Sequence, residues 1–330
     1  MMTDLAIGVV GAHGSLGRLI TASLESDGAQ AVAVDLRRSD VSERASLLGT
    51  LDALVFGAPV VDAGLHREAL ESGCHIVDVG VDRALNQQLL ALDEPARGAQ
   101  RSVVAMAGFA PGLTGVLAAD LLDRCTPRAT RLVLAVLQSP TGTAGHHGTR
   151  EMLDLLTGAG VGYRPRQVQT PEGTIATSRL FDLRIAEPEV AGLGTQLELA
   201  TGFGQPSMHA QLRALRAVRS WIRAAYPPVR DRAARRKART PGTNEQTRLS
   251  AVALDASDRP IGGRLLTVSS DYGATAAVAA ATATAAARGR LAPGAGHLRR
   301  FLTLGDLLTL GPIEAVMDAD TGPLTAPRSG

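Results

Sequence analysis

The first 125 residues alternate short apolar runs with stretches of helical periodicity, and this alternation constrains the fold more than any other feature. Such alternation is typical of a parallel sheet whose strands are joined by crossover helices. The pattern predicts strands at 5–10, 31–35, 53–56, 75–79 and 102–107, and helices at 15–27, 60–72, 83–99 and 113–124. Because the crossovers are short and join parallel strands, we predict an α/β fold with a doubly wound parallel sheet.

After Pro127 the regular alternation of strands and helices ends, and the sequence predicts a second, α+β domain. The predicted strands lie at 131–138, 196–204, 249–256 and 262–270, and the predicted helices at 146–156 and 207–226. Segment 241–248 and the basic stretch before it are predicted to be loops. The repeated strands favour a mostly antiparallel sheet.

Three glycines, Gly11, Gly14 and Gly17, lie between the first strand and the first helix. A dinucleotide pyrophosphate is bound by backbone N–H groups at the positive end of a helix dipole, and glycine lets the backbone come close to it. The spacing Gly-x-x-Gly-x-x-Gly is a variant of the dinucleotide fingerprint. The predicted cofactor contacts in this loop are Gly11, His13, Gly14, Ser15, Leu16 and Gly17.

The second strand ends in Asp35, 18 residues beyond Gly17 (17 + 18 = 35), where a carboxylate can accept hydrogen bonds from the adenosine ribose. Leu36, Arg37 and Arg38 follow directly. The carboxylate favours NAD, whereas the two guanidiniums favour the 2′-phosphate of NADP. The cofactor is therefore predicted as NAD(P)H, with the choice between the two left open.

The strand at 53–56 leads into Gly57, Ala58 and Pro59. At the carboxyl end of a strand near the middle of such a sheet, these residues are expected to follow the cofactor toward its nicotinamide half. A plain strand-to-helix turn is the alternative interpretation.

Composition excludes several other classes. A net charge of +2 gives no field that implies nucleic acid. Cys74 and Cys125 lack the spacing of a metal site, so we predict two reduced, buried thiols and no metal. Lys237 is the sole lysine and lies in a basic run, so no buried lysine is expected to act as base or nucleophile.

No signal peptide and no membrane-spanning segment are predicted, and the chain is expected to be cytoplasmic. The basic segment 213–239 has two interpretations: a solvated helix face followed by a mobile basic loop, which we favour, or a surface for lipid or an acidic partner. Association with a membrane is therefore left open but not favoured.

Several pieces of the chain resemble one known family in their order and spacing. They are "GAHGSLG" at 11–17, "VFGAP" at 55–59, "GCHIVDVG" at 73–80, "AGFAPGL" at 107–113 and "DYGATAAVAAATATAAARG" at 271–289. Together they resemble the saccharopine dehydrogenase-like (saccharopine reductase type) NAD(P)-dependent oxidoreductases, which include the carboxynorspermidine dehydrogenases. Family members often carry an acidic residue where this chain has Ala110.

The resemblance implies a Rossmann domain formed by 1–127 plus 271–330, with the helix near the C-terminus returning to pack on it. It also implies that 128–270 form an α+β domain for substrate binding and homodimer formation. Gly108, Phe109 and Pro111 are implied to lie beside the nicotinamide.

Hydride transfer also needs a proton donor and a pocket that excludes water. The predicted catalytic residues are His147, Arg150 and Tyr272: His147, with its neighbour His146, for proton transfer, Arg150 for a substrate carboxylate, and Tyr272 as a second candidate acid. A polar turn and a packing tyrosine are the alternatives. Asp78, at the end of a strand, is expected to orient a histidine or to cap the next helix.

The leading hypothesis is an NAD(P)-dependent reductase of a small molecule that acts on a C=N bond formed from an amine and a keto acid. A reductase of C=C bonds in an acyl (enoyl) substrate is the first alternative. A dinucleotide-binding protein without catalysis is the second.

Overall fold

The computed structural model describes residues 5–35, 41–125, 129–138, 146–158, 161–183, 195–203, 206–219, 225–239, 246–268, 270–310 and 315–318. The chain forms two compact units. The first contains Met1–Val116 and Tyr272–Pro312, and the second contains Leu117–Asp271 and Ile313–Gly330. The domain boundaries at 127/128 and 270/271 stay a prediction.

The secondary structure of the described residues is as follows. The strands are β1 Ala6–Val10, β2 Gln30–Val34, β3 Ala53–Phe56, β4 His75–Asp78, β5 Ser102–Ala105, β6 Arg131–Gln138, β7 Tyr163–Gln169, β8 Ile175–Asp182, β9 Gln196–Phe203, β10 Thr247–Leu254, β11 Pro260–Val268, β12 Gly294–His297 and β13 Ala315–Asp318. The helices are α1 Ser15–Ser26, α2 Val41–Leu48, α3 Gly64–Glu71, α4 Arg83–Leu90, α5 Asp93–Gly98, α6 Leu113–Cys125, α7 His146–Thr157, α8 Pro206–Arg219, α9 Tyr226–Arg239, α10 Asp271–Ala287 and α11 Leu304–Thr309. A 3₁₀ turn covers Leu298–Arg300.

The first unit is built on a six-stranded parallel sheet in the order β12-β5-β4-β3-β1-β2. Strands β3, β4 and β5 are buried along their whole length, as expected for a sheet covered on both faces. The predicted α/β doubly wound fold and its first five strands are confirmed.

Two helices of the first unit differ from the prediction. The predicted helix 83–99 is two helices, α4 and α5, that are separated at Ala91 and Leu92. Pro95 explains the break, since in an unbroken helix its ring would clash with the carbonyl of Ala91. The predicted helix 60–72 begins only at Gly64.

The small-residue segment 273–289 forms most of α10. Ala276, Ala279, Ala280 and Ala283 are at most 1% exposed, so this helix is buried almost on all sides. Alanine lets neighbouring elements approach closely, and the prediction of a closely packed helix is confirmed.

The second unit contains a seven-stranded sheet in the order β13-β11-β10-β6-β9-β8-β7. Every pair is antiparallel except β6 with β9, so the predicted mostly antiparallel sheet is confirmed.

Both cysteines are free and buried, as predicted. Burial raises the pKa of the Cys74 thiol to about 11, which keeps it protonated.

The prediction of a loop in the basic stretch is wrong, because this stretch forms α9. The Tyr226 hydroxyl lies 2.8 Å from Oγ1 of Thr157 on α7, and Arg230 donates to Asp154 of the same helix at 2.6 Å. Ala234 is fully buried. These contacts fix a helix whose arginines alone would favour solvent.

Candidate dinucleotide-binding site

The predicted cofactor residues of the first unit follow the carboxyl ends of three neighbouring strands. In the register of the sheet, Val10 pairs with Val34 on one side and with Phe56 on the other. Gly11, Asp35 and Gly57 come directly after these three residues, so they leave the sheet at one edge. Strand order reverses at β1, because the chain goes to β2 on one side and then returns to β3 on the other. Ligands of open α/β sheets bind at this kind of switch point.

The glycine loop is packed too tightly for side chains at two of its positions. Gly11 has φ +80°, and a Cβ there would lie 2.5 Å from the Cβ of Ala58. A Cβ on Gly17 would lie 2.0 Å from the carbonyl oxygen of Gly11. The loop and α1 therefore need glycine at both positions to approach each other.

The amino end of α1 is open to a ligand. Gly14 is the N-cap, and among the described residues no side chain caps the helix and no acidic residue lies in its first turn. His13, Gly14 and Ser15 are exposed, and Leu16 is half-buried. Backbone N–H groups at an uncapped helix start, with no carboxylate beside them, suit the phosphates of a nucleotide.

Other predicted contacts surround this loop. The N–H of Gly57 donates to the carbonyl of Val10 at 3.0 Å, and Ala58 lies against Gly11. Pro59 and Asp35 are exposed. Leu36 and Arg37 lie outside the described residues, as does Arg38.

The turn after β5 is held by the small-residue helix. The N–H of Phe109 donates to Oγ1 of Thr275 on α10 at 3.1 Å, and the Phe109 side chain is 2% exposed. Gly108 and Gly112 form a single parallel bridge across the turn. Thr275 was not predicted as a site residue, although its hydroxyl in a run of alanines was the available signal.

Asp78 orients a histidine, as one of the two predictions for it stated. Its Oδ2 lies 2.8 Å from Nε2 of His66, and its Oδ1 accepts the N–H of Gly80 at 2.6 Å. His66 is fully buried and stacks on Phe56 at 3.6 Å between ring centroids. The pair joins α3 to the carboxyl ends of β3 and β4, directly beside Gly57, and so is suited to fixing this edge of the sheet.

Replacement of Asp78 with alanine should lower the free energy of unfolding by roughly 3 kcal/mol, because it leaves the buried His66 and the half-buried N–H of Gly80 without their partner. Urea unfolding of the two proteins measures the difference. Asp62→Ala is a matched control, since Asp62 is exposed and, among the described residues, accepts only a local N–H from Gly64. A loss as small for Asp78→Ala as for the control would contradict the structural role of the pair.

The predicted catalytic residues belong to two different units. His146 and His147 are the first residues of α7, but their side chains lie outside the described residues. Arg150, one turn later, forms an ion pair with Asp231 of α9 at 3.1 Å. Tyr272 is the second residue of α10 and is half-buried. Their catalytic roles stay predictions.

Comparisons with known proteins agree in fold. No protein-family model matches the chain, and no curated protein matches its sequence. Its structure is similar to that of the DAP dehydrogenase of C. glutamicum in complex with DAP, with 13% identity, a TM-score of 0.50, and coverage of 93% of this chain and 99% of that one. This likeness shows that the two proteins share a fold of two domains.

Two further solved structures are an engineered D-amino acid dehydrogenase bound to NADP+ and the biliverdin reductase of Synechocystis sp. PCC 6803 in complex with biliverdin and NADP+. The first has 14% identity and a TM-score of 0.48, and the match covers 93% of this chain and 99% of that one. The second has 12% identity and a TM-score of 0.37, with coverage of 93% and 96%. The resemblance to the saccharopine dehydrogenase-like family stays a prediction.

Among the described residues, no helix is both long and apolar enough to span a bilayer. In the same part of the chain, no cluster of histidine, cysteine, aspartate or glutamate side chains has the arrangement of a metal site.

Proposed function

We propose that this protein is an NAD(P)-dependent oxidoreductase that transfers hydride to a C=N bond of a small substrate. The observation that carries the proposal is the glycine loop at the switch point of the first sheet, where close packing leaves no space for a Cβ at Gly11 or Gly17. The amino end of α1 opens beside them without a side-chain cap. A shared fold with a DAP dehydrogenase supports the same class.

The residues present suit a dinucleotide. The first turn of α1 would bind the pyrophosphate through backbone N–H groups, and Asp35 would accept hydrogen bonds from the ribose. Gly57, Ala58, Gly108 and Phe109 would line the nicotinamide half. When bound, the reduced nicotinamide supplies the hydride.

The chain's own contribution to chemistry is positioning and proton transfer. Thr275 holds the backbone of Phe109, and the His66–Asp78 pair holds the edge beside Gly57. His147 and Tyr272 are proposed to provide the proton that a reduced C=N bond requires, and Arg150 is proposed to bind a substrate carboxylate. Since Arg150 already pairs with Asp231, that carboxylate would share the guanidinium with it.

The family resemblance bears on the kind of substrate and on the oligomeric state. The resemblance to the saccharopine dehydrogenase-like proteins supports a substrate that is an imine formed from an amine and a keto acid. The homodimer is proposed on the same basis, and the cytoplasmic location stays an expectation from the sequence.

Titration with NADH and NADPH, followed by nucleotide fluorescence, tests the cofactor. Oxidation of the bound nucleotide in the presence of amine and keto-acid pairs then tests the reaction. Saturable binding of neither nucleotide would refute the proposal, whereas binding with turnover only on enoyl substrates would replace the C=N assignment with C=C reduction.

Replacement of Asp35 with alanine should weaken NADH binding about tenfold or more, because a charged acceptor of ribose hydroxyls contributes about 1.5–3 kcal/mol. NADPH binding should weaken less, since the 2′-phosphate gains from removal of a negative charge. The ratio of the two dissociation constants is the measurement. An unchanged ratio would show that Asp35 does not contact the ribose.

A further inference from the structure

A cavity of about 580 Å³ lies at the amino edge of the first sheet, the edge opposite the glycine loop. Its lining includes the residues that precede or begin β3, β4 and β5, among them Asp52, His75 and Arg101. Leu51, Leu291 and Pro293 give it an apolar portion. This volume lies within the 300–1,000 Å³ typical of small-molecule sites, and the cavity is open to solvent with a mostly polar lining.

Arg101 presents a fixed guanidinium to this cavity. Its Nε donates to the carbonyl of Gly73 and its Nη1 donates to the carbonyl of Gln100 at 3.1 Å, so two backbone groups hold the side chain. Within the described part of the chain, no carboxylate forms an ion pair with Arg101. Its positive charge is oriented but not neutralised, which is the usual state of an anion-binding arginine.

Asp52 brings the opposite charge to the same cavity. Its Oδ2 accepts the N–H of Ala6 at 2.8 Å, which leaves Oδ1 as an acceptor. It forms no ion pair with Arg101 or with another cation of the described residues. One cavity therefore contains one unpaired anion and one unpaired cation that do not contact each other.

His75 adds a directed donor. Its Nδ1 accepts from the N–H of Ser102 at 3.1 Å and lies 2.9 Å from the Ser102 hydroxyl, so the proton of the neutral ring lies on Nε2. The side chain is 9% exposed and lines the cavity. It offers a carboxylate a second hydrogen bond beside Arg101.

We propose that this cavity binds a small zwitterion, an α-amino acid, with its carboxylate on Arg101 and His75 and its ammonium on Asp52. Opposite charges separated within one pocket match a ligand that carries both charges a short distance apart. The apolar portion at Leu51, Leu291 and Pro293 accommodates the side chain. This binding site is separate from the glycine loop and does not depend on the proposed reaction.

Isothermal titration of the full-length protein with L-alanine, L-leucine and L-glutamate tests the site. We expect saturable binding of at least one of them, with acetate and methylammonium binding at least tenfold more weakly because each carries only one charge. Arg101→Gln and Asp52→Asn should each weaken the binding tenfold or more, while the affinity for NADPH stays unchanged. Arg97→Gln is the matched control, since Arg97 is exposed and outside the cavity.

Two outcomes would overturn the proposal. The first is the absence of saturable binding of these amino acids to the wild-type protein. The second is binding that both cavity variants retain at wild-type strength, which would assign the amino acid to another site. Thermal unfolding checks that each variant is folded, and if one is not, binding to the other variant decides the assignment. Failure of the wild-type protein to bind NADPH would refute the proposed function but would not bear on the amino-acid site.

Discussion

Replacement of Gly17 with alanine should reduce the affinity for NADPH about 100-fold, equivalent to about 2.7 kcal/mol, and lower the free energy of unfolding by roughly 2 kcal/mol. The added Cβ would lie 2.0 Å from the carbonyl oxygen and 2.6 Å from the carbonyl carbon of Gly11. These are backbone atoms, so no side chain can move aside. Helix α1 must shift away from the loop, and its N–H groups then lose the position in which they are proposed to bind the phosphates.

Gly98→Ala is the matched control, because Gly98 lies in α5 and no other described residue comes within 4 Å of the added Cβ. Alanine is the better helix former there, so stability should stay the same or rise. Nucleotide fluorescence titration and urea unfolding measure both variants. Equal NADPH affinity in Gly17→Ala and Gly98→Ala would remove the main support for the cofactor site.

The protein should lose stability as the pH falls from about 6.5 to about 4, and His75 should account for a loss of the order of 3 kcal/mol. Burial, with Arg101 nearby, lowers the pKa of His75 to about 4. Between these pH values the unfolded chain binds a proton at this position and the folded chain does not. The stability that the neutral His75 contributes is therefore fully present well above pH 6.5 and is lost as the pH falls toward 4.

His75→Asn separates this contribution from those of other groups. Asparagine keeps an acceptor for the N–H of Ser102 but does not titrate. The difference between the wild-type and variant free energies of unfolding should therefore change by the order of 3 kcal/mol from pH 7 to pH 4. Parallel pH curves for the two proteins, measured by urea unfolding, would show that His75 is not held neutral.

The sheet and the glycine loop could be predicted from sequence because each depends on local patterns. Buried parallel strands such as β3 and β4 appear as apolar runs, and the loop appears as glycine spacing between a strand and a helix. The small-residue helix α10 is equally clear, since its alanines leave no polar face.

Elements fixed by distant contacts could not be predicted. Strand β12 has the sequence GAGH, which has no strand propensity. It pairs in parallel with β5, and the N–H of Ala295 donates to Asp93 at the start of α5 at 2.8 Å. Helix α9 depends on the hydrogen bond that Arg230 donates to Asp154 on α7. In the site, the partner of Asp78 could not be chosen, because nothing local to the strand indicates that His66 lies beneath it.

The sheet order has a consequence for folding during synthesis. Strand β12 lies at the edge of the first sheet beside β5, yet almost 190 residues separate them in the chain (294 − 105 = 189). On the ribosome, β5 is made long before its neighbour, and its outer hydrogen-bonding groups stay open until residue 297 has emerged. An unpaired strand edge invites association with other chains, so the nascent protein has a period of aggregation risk that a continuous domain would avoid.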